Sequence, residues 1–156
     1  MRVGIGFDAH SFCDDPGRVL VLGGVKIPGE RPLAGHSDAD VIAHAVSDAL
    51  LGASGLGELG EMFPAGDPAW AGADSMTLLA RVVAALAENG WEVLNVDCAV
   101  VLEAPKLSPL RAIMTERLSA VVGSPVTVKP KHAEGLGALG RAEGVAAWAV
   151  ALVRAI

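Results

Sequence analysis

Two potential metal ligands stand one residue apart near the start of the chain, in the stretch GIGFDAHSF at positions 4–12. Residues i and i+2 of a β-strand point to the same face, so Asp8 and His10 would aim a carboxylate and an imidazole at one point. Such a pair is typical both of a metal site and of an ordinary surface pair. A third ligand elsewhere in the chain would favour the metal site over the surface pair.

His44 is the candidate third ligand. It lies in a predicted helix, four residues after Asp40 and four before Asp48, so these three side chains share one helix face. One of the two carboxylates could accept the second ring N–H of His44, as is usual for metal-bound histidines; a solvated polar stripe is the alternative, above all for Asp48. Asp8, His10 and His44 together would form a three-ligand zinc site with its fourth position open, which is typical of catalysis.

Three further stretches could bind a phosphorylated ligand. Residues 35–40 would present backbone N–H groups where a helix dipole favours an anion, although a simple N-cap loop has the same composition. Residues 57–67 form a turn-rich acidic loop that could bind hydroxyl groups or only connect two elements. Residues 129–144 mix cations, a carboxylate and glycines, which suits a phosphate with a bound cation.

The periodicity of apolar residues predicts alternating strands and helices. Strands are expected over residues 2–8, 19–22, 25–27, 91–103 and 126–131, and helices over about 40–53, 74–89 and 108–122. In the long strand, one face should carry Leu94, Val96, Cys98, Val100 and Leu102. Residues 144–154 satisfy both a helical stripe and a strand alternation, so the residues alone leave this segment open. The order of elements predicts one α/β domain over residues 1–156.

Composition and charge exclude several classes of function. The chain has 12 Lys and Arg against 18 Asp and Glu, a net charge of −6 without a dense basic stretch, so we expect no nucleic-acid partner. No apolar run approaches the about 20 residues that span a membrane. No export leader is visible and the two cysteines form no CxxC pair, so a cytoplasmic protein with reduced thiols is expected. An acidic protein that binds a phosphorylated small molecule needs a cation between the two negative partners.

Together these stretches resemble the 2-C-methyl-D-erythritol 2,4-cyclodiphosphate synthase family of the non-mevalonate isoprenoid pathway. The likeness covers nearly the whole chain and runs in order through GIGFDAHSF, GGVKIP, GHSDADVIAHAVSDALLGA, GELGEMFP, EAPKLSP and GLGALGRAEGVA. The pattern DxH followed by HSDxDxxxHAxxDALLGA is highly specific. The resemblance implies a mixed β-sheet covered by helices (an α+β sandwich), with the last segment a strand. It also implies a homotrimer with active sites between subunits.

The resemblance also implies residue roles. Asp8, His10 and His44 would bind Zn²⁺, and Glu134 would hold a second divalent cation, Mg²⁺ or Mn²⁺, on the diphosphate. His36 would be catalytic, as would position 132. Besides these residues, the positions that match substrate contacts are Ala9, Ser37, Glu58, Leu59, Gly60, Phe63, Pro64, Ala65, Gly66, Asp67, Leu102, Glu103, Ala104, Pro105, Lys106, Leu107, Ser108, Lys131, Ala133, Ala138 and Arg141.

Four of these positions depart from the family pattern. Glu58 and Ala65 stand where the family usually has Asp, and Ala138 stands where it usually has Phe. His132 replaces the threonine credited with stabilising the transition state.

The implied reaction converts 4-diphosphocytidyl-2-C-methyl-D-erythritol 2-phosphate, a cytidine diphosphate, into the 2,4-cyclodiphosphate and CMP. The attacking 2-phosphate is already an anion, which agrees with the absence of any nucleophile motif in the chain. Two alternatives stay open. A metal-dependent phosphohydrolase would give a linear product with water incorporated, and a zinc-stabilised trimeric binding module would bind CMP or CDP without turnover.

Overall fold

The computed structural model describes residues 1–156 as one α/β domain with a mixed four-stranded sheet. The strands are β1 (Arg2–Ser11), β2 (Leu20–Leu22), β3 (Val25–Ile27), β4 (Trp91–Val101), β5 (Val126–Lys131) and β6 (Gly144–Ala155). The sheet order is β1-β6-β4-β5, in which β6 is antiparallel to both of its neighbours and β5 is parallel to β4. The carboxyl ends of β1, β4 and β5 therefore meet at one edge of the sheet. Strands β2 and β3 form a separate hairpin.

The helices are α1 (Val41–Ser54), α2 (Leu59–Met62), α3 (Ser75–Glu88), α4 (Arg111–Val122) and α5 (Gly137–Gly140). Short 3-10 turns precede α3 and α4, at Pro68–Trp70 and Ser108–Leu110. Helix α1 packs against β1 and β6, and α3 and α4 complete the layer. None of these helices combines the length and apolar character that crossing a membrane requires.

Two sequence expectations about strands are resolved by the sheet. Residues 144–154, which fit either element locally, lie in strand β6 and pair on both edges, so tertiary pairing decides what periodicity could not. The expectation for Leu94 was wrong. A register shift between Val93 and Asn95 reverses the alternation, so that Val93 is buried and Leu94 only half-buried.

Strand β1 and helix α1 lie in backbone contact. A Cβ atom added at Gly4 would lie 2.0 Å from the carbonyl oxygen of Ala49, and one added at Gly6 would lie 1.9 Å from that of Ala45. Both distances are far inside van der Waals contact, so only glycine fits at either position. The small residues of α1 complete this close packing.

Asp40 joins the start of α1 to the β2–β3 turn. Its carboxylate accepts the N-terminal amides of Ile42 and Ala43, at 3.1 and 3.2 Å, and the turn amides of Gly23 and Gly24, at 2.9 and 2.7 Å. Burial raises the pKa of Asp40 to about 6, so the carboxyl is ionised at neutral pH. One side chain thus satisfies four backbone donors.

Replacing Asp40 with alanine should destabilise the protein by about 3 kcal/mol at pH 7.5, because it removes a helix cap and leaves amides of the hairpin turn without an acceptor. Asp74→Ala is the matched control. The Asp74 side chain caps α3 through one backbone amide, that of Met76, and also accepts the Thr77 hydroxyl at 3.4 Å, so its loss should cost about 1 kcal/mol. Thermal unfolding of both variants at one protein concentration measures the difference. Equal losses would contradict a role for Asp40 beyond helix capping.

Candidate metal centre

Asp8 and His10 on β1 and His44 on α1 come together at the carboxyl end of β1. One oxygen of Asp8, Oδ2, lies 3.1 Å from His10 Nε2 and 2.9 Å from His44 Nδ1. The three candidate donor atoms all lie within 4.8 Å of one another. The predicted convergence of these residues is therefore confirmed. Strand β1 extends through His10, which keeps the acid and the histidine on one face.

The backbone sets the tautomer of His10. Its Nδ1 lies 2.6 Å from the carbonyl oxygen of Ala34, which can only accept a hydrogen bond, so Nδ1 carries the proton. In the neutral ring the lone pair then lies on Nε2, the atom that faces Asp8. This is the arrangement that a metal-binding histidine requires.

Two side chains, Ser75 and Asp38, set the tautomer of His44. The hydroxyl of Ser75 donates to Asp38 and lies 2.8 Å from His44 Nε2, so Ser75 accepts the proton of Nε2 and leaves the lone pair on Nδ1. The sequence suggested Asp40 or Asp48 as the partner of His44, and this was wrong. Asp40 binds backbone amides, and Asp48 accepts the amide of Leu59 at 2.7 Å.

The electrostatics of the cluster favour a charged carboxylate. Burial opposes ionisation of Asp8, but hydrogen bonds to His10 and His44 outweigh it and hold the pKa of Asp8 well below its usual range. The hydrogen bond to Asp8 raises the pKa of His10 above its ordinary value, although burial acts the other way. A divalent cation would supply the positive charge that protons on the imidazoles otherwise provide.

The donor set fits a divalent metal ion. It consists of one carboxylate and two imidazoles whose lone pairs are directed by outer hydrogen bonds to one point, and this combination suits zinc. The side chains of His10 and Asp8 are 23 % and 24 % exposed, so the cluster is reachable from solvent. Three protein ligands leave a coordination position for a bound molecule.

Some of the other expected site residues lie near this centre. His36 Nε2 lies 3.1 Å from the carbonyl oxygen of Asp67, which brings the 63–67 loop beside it. Ser37 Oγ lies 3.2 Å from His44 Nε2. The amides of Ile42 and Ala43 in the first turn of α1 are bonded by Asp40, and the anion seat expected at the N–H groups of residues 35–37 stays a prediction.

A second group of expected site residues lies at the carboxyl ends of β4 and β5. His132 Nδ1 donates to the carbonyl oxygen of Leu102 at 3.1 Å, and the amide of Ala133 donates to Glu103 at 2.7 Å. Glu134 follows, exposed and with a φ of 53°. Since β6 separates β1 from β4, the carboxyl ends of β4 and β5 lie about 10 and 14 Å across the sheet from that of β1, and no hydrogen bond joins this group to the metal centre.

Some expected contacts are restricted by burial. Leu102 and Leu107 are 1 % and 2 % exposed as whole residues, so this chain alone gives a ligand almost no access to either. Arg141 is paired with Glu143 through two bonds of 3.2 Å. Sequence reasoning missed Ser75 as the partner of His44 and Asp38 as the acceptor of the Ser75 hydroxyl. The only signal for Ser75 was its place after the α3 cap, which says nothing about a partner 31 residues away.

A mixed-sheet α/β domain with an open carboxylate–dihistidine cluster at the strand ends belongs to the class of candidate metal-dependent enzymes. A sequence model described as the YgbB family matches residues 1–154. The chain is 54 % identical over 156 residues to 2-C-methyl-D-erythritol 2,4-cyclodiphosphate synthase of Symbiobacterium thermophilum, covering 98 % of both chains. It is 51 % identical to the enzyme of the same name from a Cyanothece species, covering 98 % of this chain and 96 % of the relative.

The fold agrees with these relatives. A solved structure of a 2C-methyl-D-erythritol-2,4-cyclodiphosphate synthase in its CDP-bound form superimposes with a TM-score of 0.87 at 35 % identity, covering 98 % of this chain and all of that one. The chain belongs to the YgbB family, which includes these cyclodiphosphate synthases.

Ser75→Ala should weaken binding of Zn²⁺ about 10- to 100-fold, because His44 loses the acceptor that sets its tautomer, and His44→Ala should abolish stoichiometric binding. Competition with a chromophoric chelator measures both. Ser54→Ala is the matched control, since Ser54 is a buried serine that bonds only helix carbonyls far from the centre. Unchanged metal content in His44→Ala would mean that the site is assigned to the wrong residues.

Proposed function

We propose that this protein is a cyclodiphosphate synthase that converts 4-diphosphocytidyl-2-C-methyl-D-erythritol 2-phosphate into 2-C-methyl-D-erythritol 2,4-cyclodiphosphate and CMP. It would act as a phosphorus–oxygen lyase in non-mevalonate isoprenoid synthesis, in the cytoplasm, with residues 1–156 as one synthase domain. The observation that carries the proposal is the Asp8, His10 and His44 cluster, found in a chain 54 % identical to a relative of that name.

The proposed cofactors are Zn²⁺ at this cluster and a second divalent cation, Mg²⁺ or Mn²⁺, at Glu134. When bound, such cations supply Lewis-acid stabilisation of phosphoryl oxygens. The protein itself carries a net charge of −6, so it cannot neutralise a diphosphate and a phosphate through its overall charge. Cations at these two points would remove that repulsion.

The main task of the chain's own residues in this reaction is to position the substrate. The attacking 2-phosphate is an anion and needs no general base, so catalysis rests on bringing two phosphates together and stabilising developing charge. His36, with Nε2 bonded to the carbonyl of Asp67, would meet the phosphates with its other edge. His132 has Nδ1 engaged by Leu102 and would offer Nε2 in the same way.

We assign the methylerythritol part to Glu58–Gly60 and Phe63–Asp67, and the cytosine to residues 102–108. Asp48 supports the first loop through the amide of Leu59, and Phe63 packs against Trp70 with ring centroids 5.0 Å apart. Lys131, Ala138 and Arg141 would lie near the phosphates. The CDP-bound relative supports a nucleotide pocket of this kind.

The proposed assembly is a homotrimer with active sites between subunits. An apolar face on β1 and β6 supports it, because five large side chains on this face are 39–71 % exposed: Val3, Ile5, Phe7, Trp148 and Val150. They lie opposite the α1 side of the sheet, and Ile5 pairs with Val150 and Phe7 with Trp148. A contiguous apolar surface of this kind is typical of a subunit interface.

Incubating the protein with the proposed substrate, Zn²⁺ and Mg²⁺ should give the cyclic diphosphate and CMP, with no oxygen taken up from isotopically labelled water. Phosphorus NMR follows the products, and mass spectrometry detects the label. A linear product carrying labelled oxygen would identify a phosphohydrolase. Binding of CDP without turnover would identify a binding module, and either outcome would overturn the synthase proposal.

Sedimentation should give a mass of about three times the 15.8 kDa chain. Ile5→Glu should shift this mass to that of the monomer and abolish CMP release, because a buried unpaired charge is not tolerated at an apolar interface. Ile113→Glu is the control, since Ile113 on α4 is similarly apolar and 38 % exposed but lies away from that face. A monomeric, fully active wild-type protein would rule out active sites shared between subunits.

A further inference from the structure

A single guanidinium group holds one edge of the segment that carries His36 and Ser37. Arg18 donates from Nε to the carbonyl oxygen of Leu33 at 2.9 Å, from Nη1 to that of Gly35 at 3.1 Å and from Nη2 to that of Ser37 at 2.7 Å. The carbonyls of residues 33, 35 and 37 thus all point towards the guanidinium group. All three nitrogens of the side chain are used.

The other edge of the same segment faces the metal centre. The carbonyl of Ala34, which lies between two of the carbonyls held by Arg18, accepts the proton of His10 Nδ1 at 2.6 Å. The amide of Ala34 donates to Ser11 at 2.8 Å, which attaches the segment to the end of β1. The position of this backbone therefore sets the orientation of the His10 ring.

The segment also reaches the second histidine. It ends at Ser37, whose hydroxyl lies 3.2 Å from His44 Nε2. Arg18 bonds none of the candidate metal ligands. The carbonyls that it holds lie on both sides of Ala34, whose carbonyl orients His10, and the last of them belongs to Ser37, which contacts His44. A guanidinium group spreads its donors over three nitrogens in one plane and so spans three carbonyls along the segment, whereas the three donors of a lysine all lie on one nitrogen.

We propose that Arg18 is a positioning residue of the metal centre, acting through residues 33–37 to orient His10 and to place Ser37 against His44. This inference rests on the proposed metal-dependent function. It adds to that function a residue that lies outside the cluster and bonds none of the three candidate ligands.

The test compares Arg18→Met and Arg18→Lys with Arg31→Met in the full chain. Arg31 is the matched control because it belongs to the same stretch but pairs with the exposed Asp14 and stacks over Phe12, without bonding residues 33–37. The Zn²⁺ dissociation constant is measured by chelator competition, and the visible spectrum of the Co²⁺-loaded protein reports ligand geometry. Both Arg18 variants should bind Zn²⁺ about 10- to 100-fold more weakly with an altered Co²⁺ spectrum, and Arg31→Met should match the wild type.

A purely structural role gives a different result. It would lower the unfolding temperature of the Arg18 variants but leave the Zn²⁺ affinity and the Co²⁺ spectrum of the folded protein at wild-type values, and this would overturn the inference. If Arg18→Met does not fold, Arg18→Lys decides by the same two measurements. Wild-type protein that binds no Zn²⁺ would overturn the proposed function as well, whereas normal binding in all variants would overturn the inference alone.

Discussion

The close approach of α1 to β1 is the constraint on which the metal centre depends. Asp8 and His10 belong to the strand and His44 to the helix, so their donor atoms can meet only at one separation of the two backbones. Gly4 and Gly6 allow this separation because a side chain at either position would overlap helix carbonyl oxygens. The glycines two and four residues before Asp8 are therefore part of the site, although they contact no ligand.

The alternation of β1 gives its two faces different tasks. Positions 4, 6, 8 and 10 face α1 and carry first the close packing and then the ligands, whereas positions 3, 5 and 7 carry exposed apolar side chains. A shift of one residue in the register with β6 would exchange the two faces of β1, and the ligand positions and the exposed apolar surface would both be lost. The metal centre and the proposed subunit contact are thus specified by the same pairing of two strands.

Local patterns predicted much of this structure, because spacing along one element is a local property. The shared face of Asp8 and His10, the hairpin at Gly23 and Gly24, and the cap of α3 all follow from residue types and distances of a few positions. The relay from Asp38 through Ser75 to His44 could not be predicted in that way, since it joins residues 31 and 37 positions apart. The β4 bulge and the strand at 144–155 depend on pairing partners, which residue periodicity does not contain.

The sheet order bears on how copies of the chain would share a site in the proposed homotrimer. The ends of β1, β4 and β5 lie at one edge, but β6 keeps the metal centre apart from the group at residues 102–108 and 131–134. Strand spacing puts the carboxyl ends of β4 and β5 about 10 and 14 Å from that of β1. Charge at both groups must act on one diphosphate in the proposed reaction. Because the apolar face of β1 and β6 borders this edge, docking a second copy there would be the direct way to bring one chain's metal centre towards another chain's nucleotide loops.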